Sequence, residues 1–181
     1  AEAMLGNIKS AWMVEEWTEE STLRDLETRL DVSPGDVHHR VDLMGWLLSG
    51  AQHVLMADDV FSEEHMHIIA ELVKKISVLQ QRVRHGCKTD LLQLVNIRHV
   101  GRQRAREMAS LGLRQPQDVA SMSLRNKNDL LALRGWGPLL LEKIEKEVER
   151  VLRKESDRPK PRPLQVREDD LPLEGERLED D

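Results

Sequence analysis

Ile97-Arg98-His99-Val100-Gly101 and Leu133-Arg134-Gly135-Trp136-Gly137 stand 36 residues apart in a chain of 181, and each runs directly into a helical pattern rich in Lys and Arg. A Gly-X-Gly turn lets the backbone take φ > 0 without a Cβ clash. The helix after it offers unpaired amide N–H groups and the positive end of its dipole to an anion. This is the layout of a tandem helix-hairpin-helix module, whose natural ligand is a backbone phosphate of nucleic acid. The second copy is complete, with Pro138 at the first helical position, where a missing N–H does least harm. The first has His99 where the first glycine belongs. Histidine tolerates left-handed backbone better than most residues, so the turn is expected to survive with its phosphate binding in question. Two tight helix–helix connections without a ligand would carry the same signature, and it is the surrounding arginines that favour backbone binding.

The charge distribution supplies those arginines. A formal net charge of −6 conceals three blocks: −7 over residues 1–86, +8 over 87–167 and −7 over 168–181. A basic hairpin segment between acidic blocks fits nucleic-acid binding within an otherwise acidic protein. Its sharpest cluster is Gly101-Arg102-Gln103-Arg104-Ala105-Arg106. On a helix Arg102 and Arg106 share a face while Arg104 splays to another, with Ala105, Met108 and Ala109 able to turn inward. Three guanidiniums beside a helix N-terminus oppose its dipole, and a nearby anion relieves that cost. A merely solvated basic face is the competing reading.

The remaining composition sets the class. The chain has 3% aromatics, no tyrosine and long charged periodic stretches, so an all-α fold with essentially no sheet is expected. The single cysteine, Cys87, excludes an internal disulfide framework, and the histidines have no cysteine partners at zinc-ligand spacing. His65 and His67 would point about 200° apart on a helix and cannot share a metal. The start has neither a signal peptide's apolar core nor the length of a membrane span, so a soluble, cytoplasmic protein without membrane contact is expected. Helical segments are read at about 7–17, 19–30, 36–56 and 63–84 in a bundle, with Ser62 capping the last and Gly86 ending it. Further segments at 90–96, 101–111, 116–121, 126–133 and 138–154 build the hairpin module. The domains expected are a bundle over 1–86, the hairpin module over 87–155 and, over 156–181, a Pro-containing acidic tail that is too charged to fold alone. Such a tail is either a solubilising segment, a competitor of DNA for the basic module, or a dock for a partner through Leu171 and Leu173.

In the 36–56 helix, Val37, Val41, Met44, Leu48, Ala51 and Leu55 fall within about 40° of one line, which is the expected core stripe. Trp46 lies about 180° from that line, with His39 and His53 within about 20° of it. Either a second layer containing Leu43, Leu47 and Val54 covers this tryptophan, or it is a platform on which a base can stack.

The stretches WMVEEWTEESTLRDLETRLDVSPGDVHHRVDLMGWLLSGA and RVRHGCKTDLLQLVNIRHVGRQRAREMASLGL resemble the C-terminal part of archaeal superfamily 2 DNA-repair helicases, relatives of the helicase portion of human polymerase theta. The resemblance covers roughly residues 8 to 155. It implies a bundle whose long ratchet helix crosses the helicase pore, where an arginine and a tryptophan engage the translocating single strand. It also implies a terminal hairpin domain that holds the leaving strand and brakes the motor. The tryptophan corresponds to Trp46. The arginine corresponds to His39, a departure that makes phosphate pairing depend on pH, with Arg40 and His38 adjacent. Arg102, Arg104 and Arg106 inherit the strand-exit role by the same resemblance. The candidate DNA-binding set is thus His39, Arg40 and Trp46 on the long helix, Arg98, Val100, Gly101, Arg102, Arg104 and Arg106 at the first hairpin, and Arg134, Gly135, Trp136, Gly137 and Lys143 at the second.

The chain contains no GxxxxGK[ST] phosphate loop and no constellation of nucleophile, base and orienting group. No cofactor or catalytic residue is therefore expected within it, and ATP and magnesium are implied only for the motor domains of such a helicase. The expected partners are single-stranded or branched DNA, those motor domains and a repair or replication protein at the tail. The alternative is a scaffold whose hairpins dimerise or dock a protein.

Overall fold

The computed structural model describes residues 2–57 and 65–157 of the chain. Among these residues all regular structure is helical, as the composition requires. Four helices come first: α1 (Glu2–Thr18), α2 (Leu23–Leu30), α3 (Pro34–Leu55) and α4 (Met66–His85). A 3-10 turn over Thr89–Leu91 leads into α5 (Leu92–Val95), followed by α6 (Arg102–Ser110), α7 (Pro116–Ala120), α8 (Leu124–Leu131) and α9 (Pro138–Ser156). The expected cap at Ser62 lies outside the described residues.

Local chemistry sets the starts and stops. Thr22 and Asp25 form a capping box on α2, and Ser33 and Asp36 form one on α3. In each, the hydroxyl accepts from the N3 amide while the N3 carboxylate accepts from the cap amide. Pro34 occupies the first turn of α3, so the helix begins two residues ahead of the expected Asp36. Gly86 ends α4 in the left-handed conformation, φ 60°.

Two clusters of buried side chains follow one another along the chain. The first joins Met13, Val14 and Trp17 of α1 to Leu26 and Leu30 of α2, Val37 and Val41 of α3, and Val83 of α4. The Trp17 indole N–H donates to the Val83 carbonyl at 2.8 Å, satisfying its one polar atom inside this core. The core stripe of α3 holds over its N-terminal half, with Val37 and Val41 buried and Met44 and Leu48 packed beside them, and fades at the exposed Ala51. There the helix leans on α4 through polar side chains. Gln52 Nε2 donates to Ser77 Oγ at 2.7 Å, and Gln80 Nε2 donates to Ser49 Oγ at 3.0 Å. The second cluster runs from Cys87 to Val148 and closes α5 to α9 around Leu91, Leu94, Ile97, Met108, Leu130 and Ile144. Burial pushes the Cys87 thiol up to about 11, so this cysteine is an inert packing residue.

Candidate nucleic-acid interface

The two hairpins share a left-handed residue at the same position. His99 sits at φ 72° and Gly135 at φ 86°, the matched positions of IRHVG and LRGWG. In each, the residue after it donates its amide back to the start of the hairpin: Val100 N to Ile97 O at 3.0 Å, Trp136 N to Leu133 O at 3.3 Å. The first turn therefore survives the histidine. The closing glycines are a different matter. Gly101 (φ −85°) and Gly137 (φ −155°) are extended N-caps of α6 and α9, a conformation open to any residue. The expectation that Gly137 as well as Gly135 is needed for the backbone conformation of the second turn is thus corrected: the left-handed residue is Gly135 alone, matched by His99 in the first. Nor does packing within the chain require them: a Cβ at Gly101 or Gly137 would meet nothing within 4 Å. Neither helix has a side-chain cap, unlike α2, α3 and α8, so their first amides have no side-chain partner.

Both hairpins open on one cleft of about 280 Å³, lined by Gly101, Gln103, Arg104 and Glu107 on one side and Arg134 and Gly135 on the other. Arg104 is held there by donating from Nη1 to the His99 carbonyl at 2.9 Å. Arg134, Arg98 and Lys143 are exposed and form no ion pair with the described residues. Glu107 was not singled out by sequence reasoning. Its carboxylate accepts from Trp136 Nε1 at 2.6 Å and from Gln103 Nε2 at 3.2 Å, joining the second hairpin to α6. A lone acid inside a basic run carries no sequence signal for such a bridge.

Four of the expected DNA-binding side chains have other work. Val100 and Trp136 occupy equivalent positions, and both are buried plugs of the hairpin core rather than surface residues. Apolar and aromatic side chains at this point of the turn are drawn inward by the apolar area they bury. Arg102 and Arg106 do share a face, but that face turns onto the bundle. The Arg102 guanidinium lies 3.9 Å from the Trp17 ring centroid and donates to the carbonyls of Gly86 (3.1 Å), Ser21 (3.1 Å) and Trp17 (3.4 Å). Gly86 makes this possible, because a Cβ there would sit 2.4 Å from the Trp17 ring and 2.8 Å from Arg102 Nη1. Arg106 donates from Nε to Glu20 at 2.8 Å and from Nη1 to Asp90 at 2.8 Å. Glu20, itself at φ 76°, also accepts the Lys88 amide at 3.1 Å. Burial raises the Glu20 carboxyl, but the hydrogen bonds from Arg106 and Lys88 outweigh it and hold the group below its ordinary range. The Arg106 hydrogen bond lowers Asp90 likewise. Together these contacts form a latch between the bundle and α6, and two of the three cluster arginines are spent on it.

On α3, Trp46 is 71% exposed, with His39 and His53 exposed on the same face. Among the described residues no second layer covers the tryptophan. Arg40 stands about 120° around the helix from Trp46 and lines a groove between α1 and α3 with Leu43, Leu47 and Ala11. His38 turns the other way, meeting the Trp17 ring edge-on at 6.0 Å. The latch tryptophan therefore touches both α3 and Arg102. No group of three or more His, Cys, Asp or Glu among the described residues could hold a metal, and no described helix is long and apolar enough to cross a membrane.

Residues 1–86 match the family described as archaeal helicase, domain 4. The chain is also similar to the ATP-dependent DNA helicase Hel308 of Thermococcus kodakarensis, 28% identical over 143 residues that cover 79% of this chain and 12% of the relative. For Hel308 of Caldivirga maquilingensis the identity is 30% over 137 residues, 75% of this chain and 17% of the relative. For Hel308 of Pyrococcus abyssi it is 26% over 136 residues, 75% and 18%. These alignments are longer than residues 1–86, so the similarity runs on into the hairpin module. The chain spans less than a fifth of the length of these relatives.

Proposed function

We propose, from the premise that residues 1–86 belong to the archaeal helicase domain 4 family and that the chain is similar to Hel308 helicases beyond them, that it is the DNA-handling accessory region in the C-terminal part of an ATP-dependent DNA-repair helicase. In this reading the strand passes the solvent face of α3, where a base stacks on Trp46 and the neighbouring His39 meets a phosphate. It then enters the cleft between the hairpins, where uncapped amides of α6 and α9, with Arg104 and Arg134, hold the backbone. A grip of this kind at the exit slows the motor and so acts as a brake at forked or branched DNA. ATP and magnesium serve the motor domains, with which the bundle associates; this chain supplies only strand contacts.

The observation that carries the proposal is the pairing of two left-handed hairpin turns around one arginine-lined cleft. Fluorescence anisotropy with single-stranded, duplex and forked DNA at two salt concentrations tests it. Binding that weakens with salt, and whose log–log slope flattens by about one unit for each of Arg104→Ala and Arg134→Ala, is the expected result. Salt-independent or absent binding would return the hairpins to a scaffold role.

A further inference from the structure

Beside the Trp46 face, α3 and α4 enclose a groove of about 570 Å³, within the size range of small-molecule sites. The two helices run antiparallel, and the Gln52–Ser77 and Gln80–Ser49 hydrogen bonds bridge them toward the C-terminal end of α3. The same register sets Gly45 across from Arg84, where the groove is open: a Cβ at Gly45 would meet nothing within 4 Å. Asp42 and Arg84, both exposed, line this part, and the side chain of neither makes a hydrogen bond or ion pair with another described residue. Gln81 lies on the same wall as Arg84. Its Oε1 accepts from Asn96 Nδ2 at 3.4 Å, and its Nε2 donors have no partner among the described residues. We infer that this groove is a base-reading pocket for single-stranded DNA, in which Asp42 and Arg84 take the edge of an unpaired guanine. The inference deepens the proposed strand path along α3 and rests on it.

The mixture of groups selects the ligand. Asp42 would oppose a phosphate, Arg84 would oppose a cation, and an apolar group would strip water from both charges without replacing it. A planar edge that donates and accepts satisfies the two together, and an unpaired nucleobase has such an edge. Guanine matches it most fully. Its N1–H and N2–H donate side by side to the two oxygens of a carboxylate, while its O6 and N7 accept from a guanidinium. Thymine has a single ring N–H to offer and leaves one carboxylate oxygen without a donor. Placement agrees with the chemistry. Asp42 and Ser49 stand about 40° and 60° around α3 from Trp46, on the side that faces α4. A base carried past the exposed Trp46 ring therefore has this groove at its edge.

Two measurements on the full chain test the pocket apart from the strand path. In the first, the chain is titrated with the monophosphates of deoxyguanosine and of thymidine, and the backbone amide signals of Asp42, Gly45 and Arg84 are followed. They should move with the guanine nucleotide and stay in place with the thymine one. In the second, an all-thymine strand is compared with the same strand carrying one central guanine. The guanine should tighten binding about fivefold, the lower end of what one good base-edge pair contributes. Asp42→Asn, Arg84→Gln and Gly45→Leu, the last filling the groove, should each bring that ratio to one, with thermal denaturation checking that each variant folds. Replacing the guanine by hypoxanthine, which lacks the N2 amine, should lower the ratio in the parent and leave Asp42→Asn unaffected. Equal shifts with both nucleotides would show that phosphate is held rather than the base, and would overturn the inference. So would a chain that binds the all-thymine strand with no gain from guanine, which leaves the strand path standing. Guanine-specific shifts in a chain that binds neither strand would sustain the pocket while the strand path alone falls.

Discussion

His99 and Gly135 hold the same left-handed backbone, yet the helices that follow them are tied to different things. After the first hairpin, α6 presents Arg102 and Arg106 to the bundle, where Trp17, Glu20 and Gly86 receive them, with Asp90 of the hairpin module as a second partner of Arg106. After the second, α9 begins with Pro138 at the position equivalent to Arg102, and the hairpin meets α6 through the Trp136–Glu107 hydrogen bond and the shared core. One copy thus anchors the module to the bundle, while the other lines the opposite side of the cleft. The lesson is that duplicated backbone geometry need not carry duplicated function. A guanidinium that has found three carbonyls and an aromatic face is no longer available to a phosphate.

The largest effect expected is at the second hairpin's plug. Trp136→Ala should cost about 3–5 kcal/mol of stability, read by thermal or chemical denaturation. A loss under about 1 kcal/mol would mean that the two hairpins do not share one core. Next comes the latch. Arg102→Ala removes hydrogen bonds to three carbonyls and the stacking on Trp17, for an expected loss of about 2–3 kcal/mol. It should leave the salt slope of DNA binding unchanged. A slope flattened by about one unit, as for a phosphate ligand, would place Arg102 back in the DNA site.

A pH titration probes the other half of the latch. Glu20 and Asp90 both sit below their ordinary values in the folded chain. Their contribution is therefore fully present above the unfolded carboxylate range, near pH 4, and is lost as pH falls through the depressed folded values. Arg106→Gln should lose about 1 kcal/mol at neutral pH, after allowance for the partial exposure of the pair, and should converge with the parent as pH falls through the depressed folded values. Parallel melting curves across that range would break the assignment.

Reciprocal changes at the matched turns should have unequal effects. Gly135→Ala puts a Cβ into a left-handed residue and should destabilise by about 1–2 kcal/mol, whereas His99→Gly should be neutral or slightly stabilising. If both lower the melting temperature equally, His99 makes contacts that outweigh its backbone strain. The smallest change in stability is expected at Trp46, whose replacement by Ala should stay within about 0.5 kcal/mol because the ring is exposed. The same variant should lose about 1–3 kcal/mol of single-strand interaction where the strand passes α3. A stability loss comparable to that of Trp136→Ala would show Trp46 to be covered.

Much of this was legible in the residues. Hydrophobic periodicity, capping residues and the spacing of the two hairpins are local, so helix type, order and approximate bounds could be read along the chain. The left-handed residue of each turn could be read in the same way. The Trp46 face followed from the helical period, although period alone left open whether anything covers it. Tertiary structure alone decided which side of α6 faces the bundle, that Gly86 is small for the sake of Trp17 and Arg102, that Glu107 bridges to Trp136, and that Val100 and Trp136 point inward. A charged side chain looks the same in sequence whether water, a phosphate or a carbonyl 85 residues distant receives it. Which of these wins is set by burial and by partners that meet only when the chain has folded.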